Sequence, residues 1–418
     1  MGKAIKDWIN SHLEFPNRLQ AVAQFYLLSI MLASARHSQT NAAALSGLDK
    51  SQFSRFLKDH PALAFAKHME LVEKTFRKIA KQFQKNPSLI SGTPWKIFMI
   101  VDSTLHTRTS RHIQNAQKFN HGDGWVTGHQ WTNIVIVVGS RIIPLPPIAF
   151  HTVDDCKRLG IDYQTEHEKL VTFFASFDLT QFLGEFDPKR LVVLMDSGYD
   201  DKKLQAAILR RGWDFLCALK TTRSVQGLKG NRIGGWRSIA AMFKRVKKQA
   251  PWKTVYDHKE VAGSKKQRME FRARLWTGHL KGLFKPIALI CSEKTNGERR
   301  FLACSNTSVS LGAIIRTYRR RWLIELFHKD AKSYLGMEHA GVRDFDSLKS
   351  HVHWVYIAYL LLKEGEQEAR EGILHLQQRV ENEIKIHDLN EYIQISTYFS
   401  GDSILRQRFM EEKCKMSA

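Results

Sequence analysis

Two apolar runs decide most of what this chain can become. WKIFMIVDST holds Ile97 to Val101 ahead of Asp102, and RLVVLMDSGYD holds Leu191 to Met195 ahead of Asp196. Both are rich in β-branched or aliphatic side chains without polar alternation, as in a strand buried on both faces at the centre of a sheet. Each run stops at an aspartate followed by a serine, so each strand delivers a carboxylate to the sheet's edge. Taken singly, either aspartate also suits a strand end or a helix cap.

A third acid is predicted on a single helix. TYRRRWLIELFHKDAK sets Arg321, Glu325 and Lys332 at offsets of 3, 7 and 14 from Tyr318. At about 100° per residue the four fall within about 60° of arc, so they share one face. Ile315, Leu323, Leu326 and Phe327 take the other side and are predicted to pack on a core. A carboxylate flanked by Arg, Lys and Tyr is an oxygen ligand for a metal, set among groups that bind phosphate.

The order of elements around these acids points to one fold class. Ile97–Val101 is followed by a hairpin from about Trp131 to Phe150, turning at Gly139-Ser140. A helix from Thr165 to about Ser176, the strand Leu191–Met195, a helix from Lys202 to Arg211 and the strand Phe215–Leu219 complete the series. Strand, hairpin, helix, strand, helix, strand predicts an α/β chain with an RNase H-like mixed sheet and helices on both faces. Asp196 and Glu325 are 129 residues apart, more than one passage across a sheet needs. The surplus contains RMEFRARLW, whose strict alternation puts Met269, Phe271, Ala273 and Leu275 on one face and the charges with Trp276 on the other. PIALICSE and RRFLACS follow around Asn296-Gly297. The expected organisation is a helical N-terminal domain (1–90), a core (91–220 and 307–363), a β-rich insertion (221–306) and a helical tail (364–418).

Charge selects the class of partner. Lys and Arg number 64 against 41 Asp and Glu, a net charge of +23 that favours a polyanion such as DNA. No acid occurs from Phe215 to Tyr256, where Lys220 and Arg237 stand among further cations and Trp236 and Trp252. Indoles there can stack bases while the cations hold phosphates, although each Trp also suits a core. Near the N-terminus, TNAAALSGLDKSQFSRFLKDH reads as a helix-turn-helix turning at Ser46-Gly47. Its second helix offers Lys50, Gln52, Ser54, Arg55 and Lys58 to a DNA groove. An ordinary pair of packed helices fits the same stretch.

Other readings are weaker. The apolar run Phe25–Ala35 is too short to span a bilayer and follows a mixed-charge segment, so it reads as a buried helix rather than a signal peptide. The five cysteines form no C-x-x-C pair and fit reduced core thiols. His106, His112, His121 and His129 lack zinc-ligand spacing, and His351 and His353 precede an apolar packing helix.

The spacing of Tyr318, Arg321, Glu325 and Lys332 is the Tyr-Arg-Glu-Lys signature of one branch, insertion sequence four, of the DDE transposases of bacterial insertion sequences. The chain resembles that family over roughly Trp95 to Gly336, and Trp322 directly after the arginine also agrees. The resemblance implies that Asp102, Asp196 and Glu325 are the catalytic and metal-binding acids. It implies Mg²⁺ as cofactor with Mn²⁺ as a substitute; such hard cations want oxygen ligands. Tyr318, Arg321 and Lys332 would contact the DNA backbone. It further implies cut-and-paste transposition through a hairpin at the element's end, with Trp276 the first candidate to clamp an extracted base and Trp322 the second. The partners implied are double-stranded DNA with terminal inverted repeats, target DNA and a second copy of the chain, in a bacterial cytoplasm with no membrane. An RNase H-like nuclease without strand transfer is the alternative; a DNA-binding regulator without catalysis would lack one of the acids.

Overall fold

The computed structural model describes residues 3–32, 38–85, 95–108, 112–120, 124–184, 186–228, 235–261, 265–293 and 297–369. Five helices come first: α1 (Lys3–His12), α2 (Asn17–Met31), α3 (Ser38–Ser46), α4 (Lys50–Asp59) and α5 (Pro61–Lys85). The apolar run reads out as a buried helix, with every residue from Tyr26 to Met31 in the interior. Between α3 and α4, Gly47 adopts φ of 68°, a left-handed turn that a side chain would strain. Asp49 then caps α4 by accepting the Ser51 N–H at 2.8 Å.

The first strands are β1 (Ile97–Thr107), β2 (Gln117–Asn120), β3 (Trp125–Val138), β4 (Arg141–Pro144) and β5 (Ile148–Ala149). β1 is longer than its apolar run predicts. β3 pairs antiparallel with it from Ile97–Val138 through Thr107–Gly128, so Asp102 lies mid-strand rather than at a strand end. Gly128 is required at that far end: an added Cβ would lie 2.1 Å from the His106 carbonyl oxygen. Next come α6 (Val153–Leu159), α7 (Glu166–Ser176), α8 (Thr180–Leu183), β6 (Leu191–Met195), α9 (Lys202–Arg210) and β7 (Asp214–Leu219). A capping box between Thr165 and Glu168 starts α7 where expected. β6 runs parallel to β1, and β7 parallel to β6. The order β4-β3-β1-β6-β7, with the first three antiparallel, is the RNase H-like arrangement. β2 and α6 carry no signal that sequence patterning picked out.

The long segment before Glu325 contributes β8 (Ser224–Gly227), β9 (Arg237–Ser238), α10 (Ile239–Arg245), β10 (Lys253–Val261), β11 (Lys265–Leu280), β12 (Ile287–Glu293) and β13 (Arg299–Cys304). β13 pairs antiparallel with β7, so these strands continue the core sheet instead of standing apart, and the sheet reaches thirteen strands among the described residues. The alternation read into RMEFRARLW fails in its second half. Arg274 and Trp276 are buried at 3% and 5% exposure, while Leu275 is half-buried. Here both faces of β11 are covered. Arg274 donates to the Phe243 carbonyl of α10 at 2.6 Å, and the Trp276 ring crowds Gly278, where a Cβ would meet it at 2.7 Å.

The chain then forms α11 (Leu311–Arg319), α12 (Trp322–Lys329), a π-helical turn at Asp330–Tyr334 and α13 (Phe345–Ala369). α13 is the axis on which the N-terminal helices pack. The fully buried Trp354 ring lies 6.0 Å from Phe15 and 5.4 Å from Phe56, and His351 hydrogen-bonds the Tyr26 hydroxyl at 2.7 Å. No described helix is long and apolar enough to cross a membrane. The predicted tail lies outside the described residues beyond Ala369. Trp354→Ala should lower stability by about 3–5 kcal/mol, as for other buried tryptophans. Denaturant titration should still give one transition; a separate early loss of helix would show that the N-terminal helices do not fold as one unit with the sheet.

Candidate active site

The three acids arrive from different directions. β6 pairs with β1 only as far as Ile100–Leu194, whereas β3 follows β1 to Thr107. Past Ile100, therefore, one side of β1 is free, and Asp102 sits at the start of that free stretch. Asp196 follows β6 directly and turns into a short 3₁₀ segment, its Oδ1 accepting the Gly198 N–H at 2.8 Å. Glu325 lies in the first turn of α12.

Arg321 ties two of them together. Its Nη1 donates to Asp102 Oδ2 and its Nη2 to Glu325 Oε1, both at 3.3 Å. Burial nevertheless pushes the Asp102 carboxyl up to about 7; Arg321 opposes this, while the charges of Glu325 and Asp196 add to it. Asp102 therefore exchanges its proton around neutral pH rather than in the usual carboxylate range. Tyr318, half-buried beside Arg321 and Asp196, has its hydroxyl pushed up to about 12, chiefly by burial, and so remains a neutral donor. Lys332 donates to the Leu105 carbonyl at 2.5 Å, satisfying a β1 oxygen on the free side, and pairs with Glu338 at 3.1 Å.

The signature does not lie on one regular helix. The Arg320 and Arg321 N–H groups bond Thr317 and Tyr318 at three-residue spacing, which tightens the turn between α11 and α12. Lys332 falls in the π turn, closed by the Leu335 N–H bonding Asp330. Arg321 and Glu325 still meet Asp102, and Tyr318 stays beside Arg321 and Asp196; Lys332 reaches β1 further along. Leu326, placed by periodicity on the core side, is 42% exposed.

His328 joins the candidate site, and sequence reasoning missed it. One donor atom each from Asp102, Glu325 and His328 lie within 4.8 Å of one another, the metal-competent group found among the described residues. Its offset of 10 from Tyr318 puts it only about 20° outside the arc of the signature, so helical spacing carried the signal. Asp196 is not in that group, although its charge acts on Asp102. Two carboxylates and an imidazole with donor atoms this close fit a divalent ion.

The other sequence candidates scatter. Trp322 is 62% exposed beside Arg321, whereas Trp276 is buried and cannot meet a base without leaving its packing. Lys50, Arg55 and Lys220 are exposed, and Arg237 is half-buried. Residues 176–361 match the family model described as the transposase DDE domain. The matched segment is 186 of the 418 residues. It takes in Asp196 and Glu325; Asp102 lies ahead of it. No curated protein matches the chain. A cryo-EM structure of a piggyBac transposase synaptic complex with hairpin DNA is similar at a TM-score of 0.45 and 10% identity, covering 89% of this chain and 71% of that one. That likeness is too distant to carry function.

The raised Asp102 predicts a pH dependence of the metal-free chain. Its folded value, about 7, exceeds the ordinary 3.8, so the stabilisation it gives is full below about pH 4 and is lost as pH rises through 7. Asp102→Asn should be insensitive in that window and at pH 8 more stable than wild type, by an amount on the order of 4 kcal/mol at most. Urea midpoints in the presence of a chelator at pH 5 and 8 measure the difference. Equal pH profiles would mean that Arg321 alone neutralises the carboxylate.

Proposed function

We propose that this chain is a cut-and-paste DNA transposase of the Tyr-Arg-Glu-Lys branch, with Asp102, Asp196 and Glu325 as its catalytic acids. The observation that carries the reading is the meeting of Asp102 on β1 with Glu325 on α12, with Asp196 at the end of the adjacent parallel strand, in a chain whose residues 176–361 match the transposase DDE domain model. Asp102, Asp196 and Glu325 would hold Mg²⁺, with Mn²⁺ able to replace it. Bound there, the ions supply Lewis acidity at the scissile phosphate and lower the pKa of attacking water.

The chain's own side chains position the DNA. Arg321 can fork two phosphate oxygens, Tyr318 can donate one neutral hydrogen bond, and Lys332 adds a point charge along the same edge. Trp322, exposed next to Arg321, replaces Trp276 as the surface on which an extracted base stacks. A free 3′ hydroxyl from the first cut then attacks the opposite strand to close a hairpin, and after reopening attacks target DNA. Residues 1–90 would read the terminal inverted repeats through α4, whose Lys50, Ser54, Arg55 and Lys58 all face solvent. Residues 221–306, with Lys220 at their border, would hold the flanking backbone. Two copies acting on two ends make a homodimer in the DNA complex.

Asp102→Asn, Asp196→Asn and Glu325→Gln should each abolish metal-dependent nicking of end-containing DNA while DNA binding persists. Wild-type nicking by any one of them removes that acid from the site. A cleaving chain that never joins a 3′ end to target DNA would instead be a nuclease of the same fold.

The double variant Lys50→Ala/Arg55→Ala should lose preference for the element's ends over random DNA. It should also lower the salt slope of binding by about 0.9 for each phosphate contact removed. Unchanged discrimination in competition binding would make α3 and α4 an ordinary packed pair.

A further inference from the structure

The imidazole of His328 stands where an all-carboxylate centre would not need it. It is 8% exposed, lies within 4.8 Å of the donor atoms of Asp102 and Glu325, and is held from behind. Asn133, directly opposite Asp102 across the β1–β3 pair and on the same face, donates its Nδ2 to His328 Nε2 at 2.9 Å. The Asn133 Oδ1 in turn accepts the hydroxyl of the fully buried Tyr356 on α13. This is a supported side chain, not an imidazole left to fill space.

We propose that His328 is a nitrogen ligand of the metal centre, through Nδ1, and that Asn133 and Tyr356 are its positioning residues. The inference rests on the metal-centre reading above and goes beyond its three acids. Nδ1 is the ring nitrogen that Asn133 leaves available. Turning the Asn133 amide over inverts both of its bonds without losing either. The Nε2–H then donates to Oδ1, and Nδ2 donates to the Tyr356 oxygen, since a phenol both donates and accepts. In that arrangement the lone pair is on Nδ1, and the distal N–H is anchored on a carbonyl oxygen, as in most protein histidine–metal bonds. A single ion needs its donors within roughly 4 Å of one another, so the spacing already present requires only a small closure.

The consequence is metal preference. Mg²⁺ takes oxygen donors, while Mn²⁺ accepts imidazole, so one nitrogen tilts the site toward Mn²⁺. Asp102 and Glu325 alone carry no such bias.

The decisive measurement is pulsed EPR of Mn²⁺ bound to the full chain without DNA, at natural abundance and with ¹⁵N-labelled histidine. Wild type should show modulation from a directly bound ¹⁴N that changes to the ¹⁵N pattern on labelling. His328→Gln should bind Mn²⁺ without that modulation, and its ratio of Mg²⁺ to Mn²⁺ dissociation constants should fall about tenfold. Asn133→Ala should keep the modulation but weaken Mn²⁺ about 10–100-fold, as loss of an outer hydrogen-bond partner does elsewhere. If His328→Gln does not fold, the labelled wild-type spectrum decides alone. Bound Mn²⁺ with no histidine modulation overturns the inference and leaves the three acids standing. Modulation that survives in His328→Gln assigns the ligand to another histidine and also overturns it. A wild-type chain that binds no Mn²⁺ at millimolar concentration overturns the metal-centre reading itself, and this inference with it.

Discussion

The site depends on where one pair of strands stops. β1 pairs with both β3 and β6, and β6 leaves it at Leu194 while β3 stays for seven more residues, to Thr107. Had β6 continued, its backbone would occupy the side of β1 that α12 now covers. The early departure frees β1 carbonyls, and Lys332 satisfies one of them at Leu105. It also places Asp196 beside Asp102, since parallel strands that part at the same level end side by side. The carboxylate cluster follows from strand register, and α12 is the lid that register permits.

The central acids were legible because they sit at the ends of the strongest patterns in the chain. Leu191–Met195 has no reading other than a buried strand, and the next residue can only be at its edge. Asp102 was reached by the same logic, although β1 runs past it: the apolar run Ile97–Val101 marks the part of β1 paired on both sides, and the more polar remainder is the part that β6 leaves. What patterning could not give was tertiary cover. Trp276 alternates with Leu275, and nothing local says that α10 covers the face on which Arg274 lies, or that the Trp276 ring folds over Gly278. Nor could it say that Arg299–Cys304 would join β7 and merge the inserted strands with the core sheet, since register between distant segments is not a local property. The support of His328 is likewise non-local: Asn133 and Tyr356 come from β3 and α13, 195 and 28 residues away respectively, and only packing brings them together.

Electrostatics set the balance among the acids. Asp102, Glu325 and Asp196 repel one another, and Asp102 is also buried. Arg321 offsets part of this by bridging Asp102 and Glu325. A guanidinium spreads one positive charge over a fork, whereas a dication concentrates two in a sphere, so a dication at the same point attracts the carboxylates more strongly. Arg321, which compensates these carboxylates, also lies at the edge of the centre beside Tyr318 and the exposed Trp322. The tight turn at Arg320–Arg321 sets that side chain at the head of α12, which is where the two acids meet.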